Sequence, residues 1–322
     1  MSIKKEIKQK AKTKAIKKVK NIASDKKASE SNKPGKKGLL MSVISAIIVA
    51  IAGFFVYDQV INLENSGDML VHFIDVGQGD AVLIQTSQGS VLIDGGDNSA
   101  GPILLDYLHR VGITELTYIV ATHPHADHIG GLIPVINNFP VGTVVMPDAT
   151  HTTVTFERFI TAIEENDVDV QEAIVGDTFY IESNTHRALF YIIAPNYAFT
   201  SLNDLSVGLR VEFGDRSLIF TGDAEEDGEM AIVNAGHNIY SDVLHVGHHG
   251  SRTSTIPEFL EAVSPTIAVI NVGRNNRYGH PHEPVLDRLN EIGATIFRTD
   301  IQGHIILSTD GVSISVDYEG VN

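Results

Sequence analysis

The run Thr122-His123-Pro124-His125-Ala126-Asp127-His128-Ile129-Gly130-Gly131 constrains this chain more than any other part of it. It puts three imidazoles and a carboxylate within six residues, directly after the apolar stretch 117–121, which reads as a buried strand. His123 and His125 stand two apart, so in extended backbone they point to the same side and can grip one ion. Asp127 and His128 follow once the chain turns toward a helix starting near Gly130, and they can face a second ion beside the first. Burying this many polar groups at a strand end is costly unless something cationic pairs with them.

The remaining pattern says what core that strand belongs to. Apolar, strand-like runs fall at 70–74, 81–85, 90–93, 116–121, 141–146, 188–193, 206–213, 217–220, 242–246 and 266–272. Helical spacing falls between them, at 102–111, 132–138, 156–165, 226–234, 257–263 and 284–292, and the chain closes in a hairpin around Asp310-Gly311. Strands that are almost continuously Val, Ile and Leu, separated by amphipathic helices, predict sheets covered by helices, a layered α/β sandwich. Gly77-Gln78-Gly79-Asp80 and Asp94-Gly95-Gly96 read as tight turns needing positive φ. Neither has a dinucleotide or P-loop spacing, and no Lys is present there to serve a phosphate loop.

Charge is segregated along the chain. All 14 Lys lie in residues 1–37, with Glu6, Asp25 and Glu30, a net of +11; the other 285 residues therefore carry −16 − 11 = −27. Between the two blocks, residues 38–57 form a 20-residue uncharged stretch, enough at about 1.5 Å per residue to cross a hydrocarbon core of roughly 30 Å. This predicts a basic cytoplasmic tail (1–37), one transmembrane helix (38–57), a linker (58–68) and an extracellular domain (69–322) in the cell membrane. A cleaved signal peptide is the alternative, since Ala50-Ile51-Ala52 has a small-x-small pattern. The apolar run continues past it through Phe54-Phe55-Val56-Tyr57, which favours an uncleaved anchor. The tail reads as a polybasic segment that sets topology. With no Cys in the chain, disulfides and thiolate chemistry are excluded. The −27 balance argues against a broad nucleic-acid track, because non-specific duplex binding rests on Lys and Arg. A short oligonucleotide or single strand fits it better.

Further candidates stand on later strand ends. Asp223 ends an apolar strand, where a carboxylate is costly unless paired, and it can bridge two cations as an imidazole cannot; it also suits a helix N-cap. His248 and His249 follow another apolar strand and, in extended backbone, would point apart, one toward metal and the other toward substrate. His280 lies in a Gly-His-Pro-His loop before a helix and is a candidate acid or phosphate contact. Arg252, Arg274 and Arg277 concentrate three of the ten Arg of the acidic part near these loops, and guanidinium forks suit phosphate oxygens. Imidazole and carboxylate ligands without thiolate suit zinc, and also manganese or iron.

The H-x-H-x-D-H run, after a strand and before a glycine-started helix, resembles the signature of the metallo-β-lactamase fold superfamily. Val76-Gly77-Gln78-Gly79-Asp80, Ile93-Asp94-Gly95-Gly96, Thr221-Gly222-Asp223, Gly247-His248-His249-Gly250-Ser251 and Tyr278-Gly279-His280-Pro281-His282 are similar, in that order, to the hydrolase domain of ComEC-type DNA-uptake proteins. The resemblance covers nearly all of 69–318. It implies an αββα sandwich and two divalent ions, zinc first and manganese as the alternative, held by His123, His125, Asp127, His128, Asp223 and His249. By resemblance to related phosphoesterases His249 goes to metal and His248 to the substrate side. His248, His280 and Asp127 are the implied catalytic groups, acting with a water shared between the ions; Asn203, Arg252, Arg274 and Arg277 are the substrate contacts.

One departure from the wider superfamily stands out. Many members place another His ligand between the first cluster and the bridging Asp. Here 129–222 holds only His151 and His186, both of which read as surface residues, while Asn203, Asp204 and Ser206 occupy the equivalent place. This predicts a first ion short of a protein ligand and completed by water. The expected function is a membrane-tethered extracellular phosphodiesterase or nuclease, acting on a phosphodiester such as single-stranded DNA. A separate membrane channel is an expected partner, since this chain has one span. Hydrolysis of carbon esters or lactams at the same ions is the alternative, and a non-enzymatic metal-binding partner of a DNA-uptake complex is a third reading.

Overall fold

A computed structural model describes residues 69–320; the tail, the 38–57 apolar segment and the linker lie outside them. Among the described residues no helix is long and apolar enough to cross a membrane.

The first half runs β1 (Met69–Phe73), β2 (Val82–Gln85), β3 (Ser90–Ile93), α1 (Gly101–Arg110), β4 (Leu116–Val120), α2 (Ala126–Ile129), α3 (Leu132–Asn138), β5 (Val141–Met146), α4 (Val154–Glu165) and β6 (Asp169–Glu172). It continues with β7 (Thr178–Glu182), β8 (Arg187–Ala194), β9 (Gly208–Phe213), β10 (Arg216–Phe220), α5 (Glu226–Asn234), β11 (Val243–His245), α6 (Pro257–Val263) and β12 (Ile267–Ile270). The chain then adds α7 (Glu283–Glu291), β13 (Thr295–Arg298), α8 (Thr299–Gln302), β14 (Ile305–Thr309) and β15 (Ile314–Tyr318). One sheet has the order β15-β14-β1-β2-β3-β4-β5-β6 and the other β13-β12-β11-β10-β9-β8-β7. From β3 to β6 and from β10 to β13 the neighbours are parallel.

Three apolar cores separate the layers, and single strands divide their side chains between them. Val82 and Ile84 of β2 enter the core between the sheets, and Leu83 the core under α1 and α3. Leu218 and Phe220 of β10 likewise face the other sheet, and Ile219 faces α5 and α6. A strand buried on both faces has no reason to alternate polar with apolar, which is why these runs are continuous in sequence. The result is a four-layer αββα sandwich. Helix ends follow local chemistry: Thr153 caps α4 by accepting the Phe156 N–H, and prolines at the first turns of α1, α6 and α7 sit where a missing N–H costs nothing.

Three strands were not anticipated. β6 has the sequence DVQE and is largely exposed at its sheet edge, β7 is half charged or exposed, and β13 ends the second sheet. Edge strands bury little, so they leave no apolar signature. The helix expected to start at Gly130 is two helices, α2 and α3, on either side of Gly130-Gly131, and Asp127 and His128 already lie on the first of them.

Candidate metal centre

The loops that follow β3, β4, β10 and β11 meet where the two sheets adjoin, and one backbone bond crosses between the sheets there, Val207 N–H to Thr122 C=O at 2.9 Å. Asp94, leaving β3, organises the histidine loop. It accepts from Thr122 N–H (2.8 Å), Thr122 Oγ1 (2.6 Å) and His128 Nδ1 (2.7 Å). The Gly95 N–H reaches the His128 carbonyl at 2.7 Å. This contact is possible only with glycine at 131, where a Cβ would stand 1.9 Å from the Gly95 oxygen. The turn before β2 presses on the same loop: Gly79, at φ +134°, leaves no room for a Cβ beside the Asp127 carbonyl, and Asp80 N–H donates to that carbonyl at 3.3 Å.

Around the Asp223 carboxylate three buried rings share one arrangement. His128 Nδ1 is held by Asp94, His249 Nδ1 by Asp80 Oδ1 (3.0 Å) and the Asn271 carbonyl (3.2 Å), and His123 Nδ1 stands 3.1 Å from Thr122 Oγ1 and 3.3 Å from Ser206 Oγ. Each Nε2 then faces Asp223: His128 at 3.3 Å and His123 at 3.8 Å from Oδ2, His249 at 3.7 Å from Oδ1. His249 Nε2 is also 3.7 Å from Asp127 Oδ2. With metal–nitrogen bonds of about 2.0–2.1 Å, two donors on one tetrahedral ion stand about 3.3 Å apart. The observed spacings suit ligands around an ion better than hydrogen bonds. His123, His128 and Asp223, and separately Asp127, His128 and His249, bring one ligand atom each within 4.8 Å of one another. His128 Nε2, His249 Nε2 and Asp223 Oδ1 are buried without a hydrogen-bond partner. Nitrogens and an oxygen buried bare, on rings whose other nitrogen is fixed, form the donor set a divalent cation takes; the residues fit the two ions the family implies.

Electrostatics agree. Burial opposes charge on Asp223, yet His128 and His249 hold its carboxyl well below the usual carboxylate range. Burial likewise opposes charge on His128 and His249. Asp223 with Asp94 raises the former well above its ordinary value, and Asp80 with Asp223 raises the latter. His123 is driven well below its ordinary value by burial and by His128, so that ring is a neutral donor. Asp223 thus demands positive charge at one point, and protons on imidazoles or a divalent cation can supply it.

The cavity above this set has a volume of about 340 Å³ and is lined by His125, Asp127, Asp223, His248 and His249, among others. His125 stands with its Nδ1 2.9 Å from His123 Nε2. His248 and His249 are not extended as expected: both have left-handed backbone, φ 51° and 55°. The rings do not part to opposite sides of a strand. His249 is buried on Asp223 Oδ1, while the half-buried His248 puts Nε2 3.6 Å from Asp223 Oδ2 and Nδ1 3.5 Å from Glu225. His280 lines the same cavity, and burial and the charge of His249 lower it to about 4.

Asn203 also lines the cavity. Arg277 lies behind the lining residue Tyr278, donating to its hydroxyl at 2.9 Å, and Tyr278 stacks on His280 at a centroid distance of 5.6 Å. Arg252 and Arg274 are not brought to the lining. Arg252 is exposed and gives its backbone N–H to His282 Nδ1, and Arg274 turns to the Asp300 carbonyl. Sequence reasoning missed Asp80 and Asp94 as the holders of His249 and His128. Each is a carboxylate beside an apolar strand, the same signal that singled out Asp223. It also missed Gln78, Tyr278 and His151 in the lining; His186 is exposed, as expected.

Residues 74–274 match the family model described as the metallo-beta-lactamase superfamily. ComE operon protein 3 of Bacillus subtilis is 35% identical over 262 residues, covering 76% of this chain and 33% of that protein. Competence protein ComA of Neisseria gonorrhoeae is 31% identical over 262 residues, covering 80% and 34%. The chain therefore spans about a third of the length of these curated relatives. Among solved structures, the metallo-beta-lactamase fold protein YhfI of Bacillus subtilis aligns with a TM-score of 0.49 at 10% identity, over 75% of this chain and all of that one. Its sequence match and its paired histidine and aspartate half-sites make this chain a ComEC-like member of the metallo-beta-lactamase superfamily.

Proposed function

We propose that this protein is a phosphodiesterase or nuclease tethered to the cell membrane by residues 38–57, with its hydrolase domain outside and single-stranded DNA or a short oligonucleotide as substrate. One observation carries the hydrolase reading: Asp223 offers its two oxygens to two adjacent histidine half-sites, with hydrogen-bonding side chains such as Asn203, Tyr278 and His280 around the opening. Two divalent ions bound there would polarise a phosphoryl oxygen and lower the pKa of a water toward about 7. The protein's own part is to hold and shield. Asp94 and Asp80 fix the ring orientations of His128 and His249. His248, with one nitrogen toward Asp223 and the other toward Glu225, is placed to pass a proton between the cavity and that carboxylate. His280, held neutral by its setting, and Tyr278 can donate to a phosphate oxygen or leaving group. A phosphate suits this opening, because Arg277, 5.0 Å from the ring of the lining residue Tyr278 and donating to its hydroxyl, sets a positive charge beside it. The name competence protein ComA of one relative is consistent with DNA as the substrate, a separate membrane channel is the proposed partner, and the −27 charge after residue 37 favours a single strand over a duplex track.

The test is turnover by the full-length protein, loaded separately with zinc and with manganese, on bis(p-nitrophenyl) phosphate, single-stranded DNA and nitrocefin. Cleavage of the two phosphodiesters, lost in His125→Ala and Asp223→Ala with the fold retained, is expected. Turnover of nitrocefin alone would replace this reading with a lactam hydrolase, and no turnover with both metals bound would leave a binding protein. Protease shaving of intact cells should remove the hydrolase domain; digestion only after lysis would overturn the outward placement.

A further inference from the structure

We infer that His151 is a ligand of the first ion, joining His125 on the His123 side of the shared Asp223. The inference rests on the two-ion reading above. In sequence His151 has the look of a surface residue, between two threonines after β5. The fold folds its loop inward: His151 is partly buried and lines the same cavity as His125, Asp223 and His248. Its ring stands edge-on to His125, with centroids 5.6 Å apart. The imidazole pairs that make up the centre are separated by 4.2 Å (His123 and His128), 4.6 Å (His123 and His125) and 5.3 Å (His128 and His249). Two imidazoles on one tetrahedral ion, with bonds of about 2.0–2.1 Å, put their centroids roughly 5 Å apart. At 5.6 Å from His125, His151 stands a little wider than these pairs, on the side where the first half-site is thin.

Among the described residues no imidazole stands at this place on the strand side; Asn203 lines the cavity there with its Oδ1 buried and unpartnered. Ser206 stands there, and its hydroxyl is engaged with the ligand set, accepting from Asp223 N–H at 3.1 Å and standing 3.3 Å from His123 Nδ1. The opposite loop is built to present a ring. Thr153 Oγ1, which accepts the Phe156 N–H as the cap of α4, stands 3.3 Å from His151 Nδ1. With Nδ1 protonated and donating to that oxygen, Nε2 is bare and free to bind metal. The start of α4 is itself tied to the turn after β3 by Asn98 Nδ2 to Thr155 Oγ1 at 3.0 Å, so the loop's position is coupled to the Asp94 turn that organises the centre.

The experiment measures metal directly in the full-length protein, comparing wild type with His151→Gln and with a control at an exposed histidine, His237→Gln. Zinc is titrated against a chromophoric chelator, and cobalt loading is followed by visible absorption. A matched thermal melt of the metal-free proteins verifies the fold. His151→Gln should bind one ion at least tenfold more weakly, retain the other at wild-type affinity and change the cobalt spectrum, with the control unchanged. Two ions bound by His151→Gln within twofold of wild type, with a superimposable cobalt spectrum, would overturn the assignment and leave the hydrolase reading standing. A wild-type protein that binds neither zinc nor cobalt would sink both.

Discussion

Asp80 Oδ1 lies 3.0 Å from His249 Nδ1, and this contact aims the opposite nitrogen of the ring at Asp127 and Asp223, 3.7 Å from an oxygen of each. Asp80 also stands 3.8 Å from His245 Nε2, so one buried carboxylate serves two imidazoles from the end of β11 onward. Burial opposes its charge, but His249 and His245 keep its carboxyl below the ordinary range.

Replacing Asp80 with Asn removes the anion that orients His249 while leaving His249 itself in place. Metal affinity should fall by about 10–100-fold, the usual cost of losing a partner that orients a ligating histidine. Competition with a chelator measures it, and an affinity within twofold of wild type would show that His249 is held by the Asn271 carbonyl alone.

His248 and His249 are neighbours with different tasks. His248→Gln should retain two bound ions by elemental analysis and lower kcat on a phosphodiester by about 10²–10⁴, the usual worth of a positioned proton-transfer group. Loss of an ion in this variant would exchange the roles of the pair.

Glu229, fully buried in α5, accepts the backbone N–H groups of Thr255 (2.7 Å) and Ile256 (2.8 Å) ahead of α6. Burial pushes its carboxyl up to about 8, against the pull of those two amides. The folded protein thus holds a proton that the unfolded chain, with an ordinary Glu near 4.5, releases earlier. Its contribution is complete below about 4.5 and is lost as pH rises through about 8, on the order of a few kcal/mol. Urea unfolding of wild type and Glu229→Gln between pH 6 and 9 should show the difference between them shrinking or reversing as pH rises. A difference independent of pH would refute the shift.

Gly131→Ala drives a methyl group into the Gly95 carbonyl, 1.9 Å away, where both partners are backbone. Gly131 has φ −75°, so the penalty is collision rather than dihedral strain. A loss of about 3 kcal/mol or more in unfolding free energy is expected. The same change should weaken metal binding, because the Gly95–His128 contact belongs to that junction. Wild-type stability would mean that the loop after β3 yields without cost.

Much of the candidate centre was legible in the sequence because its donor groups are clustered locally: four between His123 and His128, and Asp223 and His249 each marked by a polar group at the end of an apolar strand. What escaped was set by backbone shape or by distant packing. Left-handed backbone at His248 and His249 overturned the expectation drawn from extended geometry. His151 looks like surface when only its threonine neighbours are considered. β6 carries too little apolar pattern to be seen as a strand at all.

Residue order alone determined that the chain after residue 68 builds helix-covered sheets, and that it carries nitrogen and oxygen donors without thiolate, because periodicity and side-chain chemistry are local properties. The tertiary structure decided which donors meet. Asp80 reaches His249 across 169 positions, and Ser206 reaches His123 across 83. Such pairings depend on strand order and on the seam where Val207 N–H binds the Thr122 carbonyl. Hydrophobic pattern specifies that a strand is buried, but only the packing of two sheets against each other specifies what its end will face.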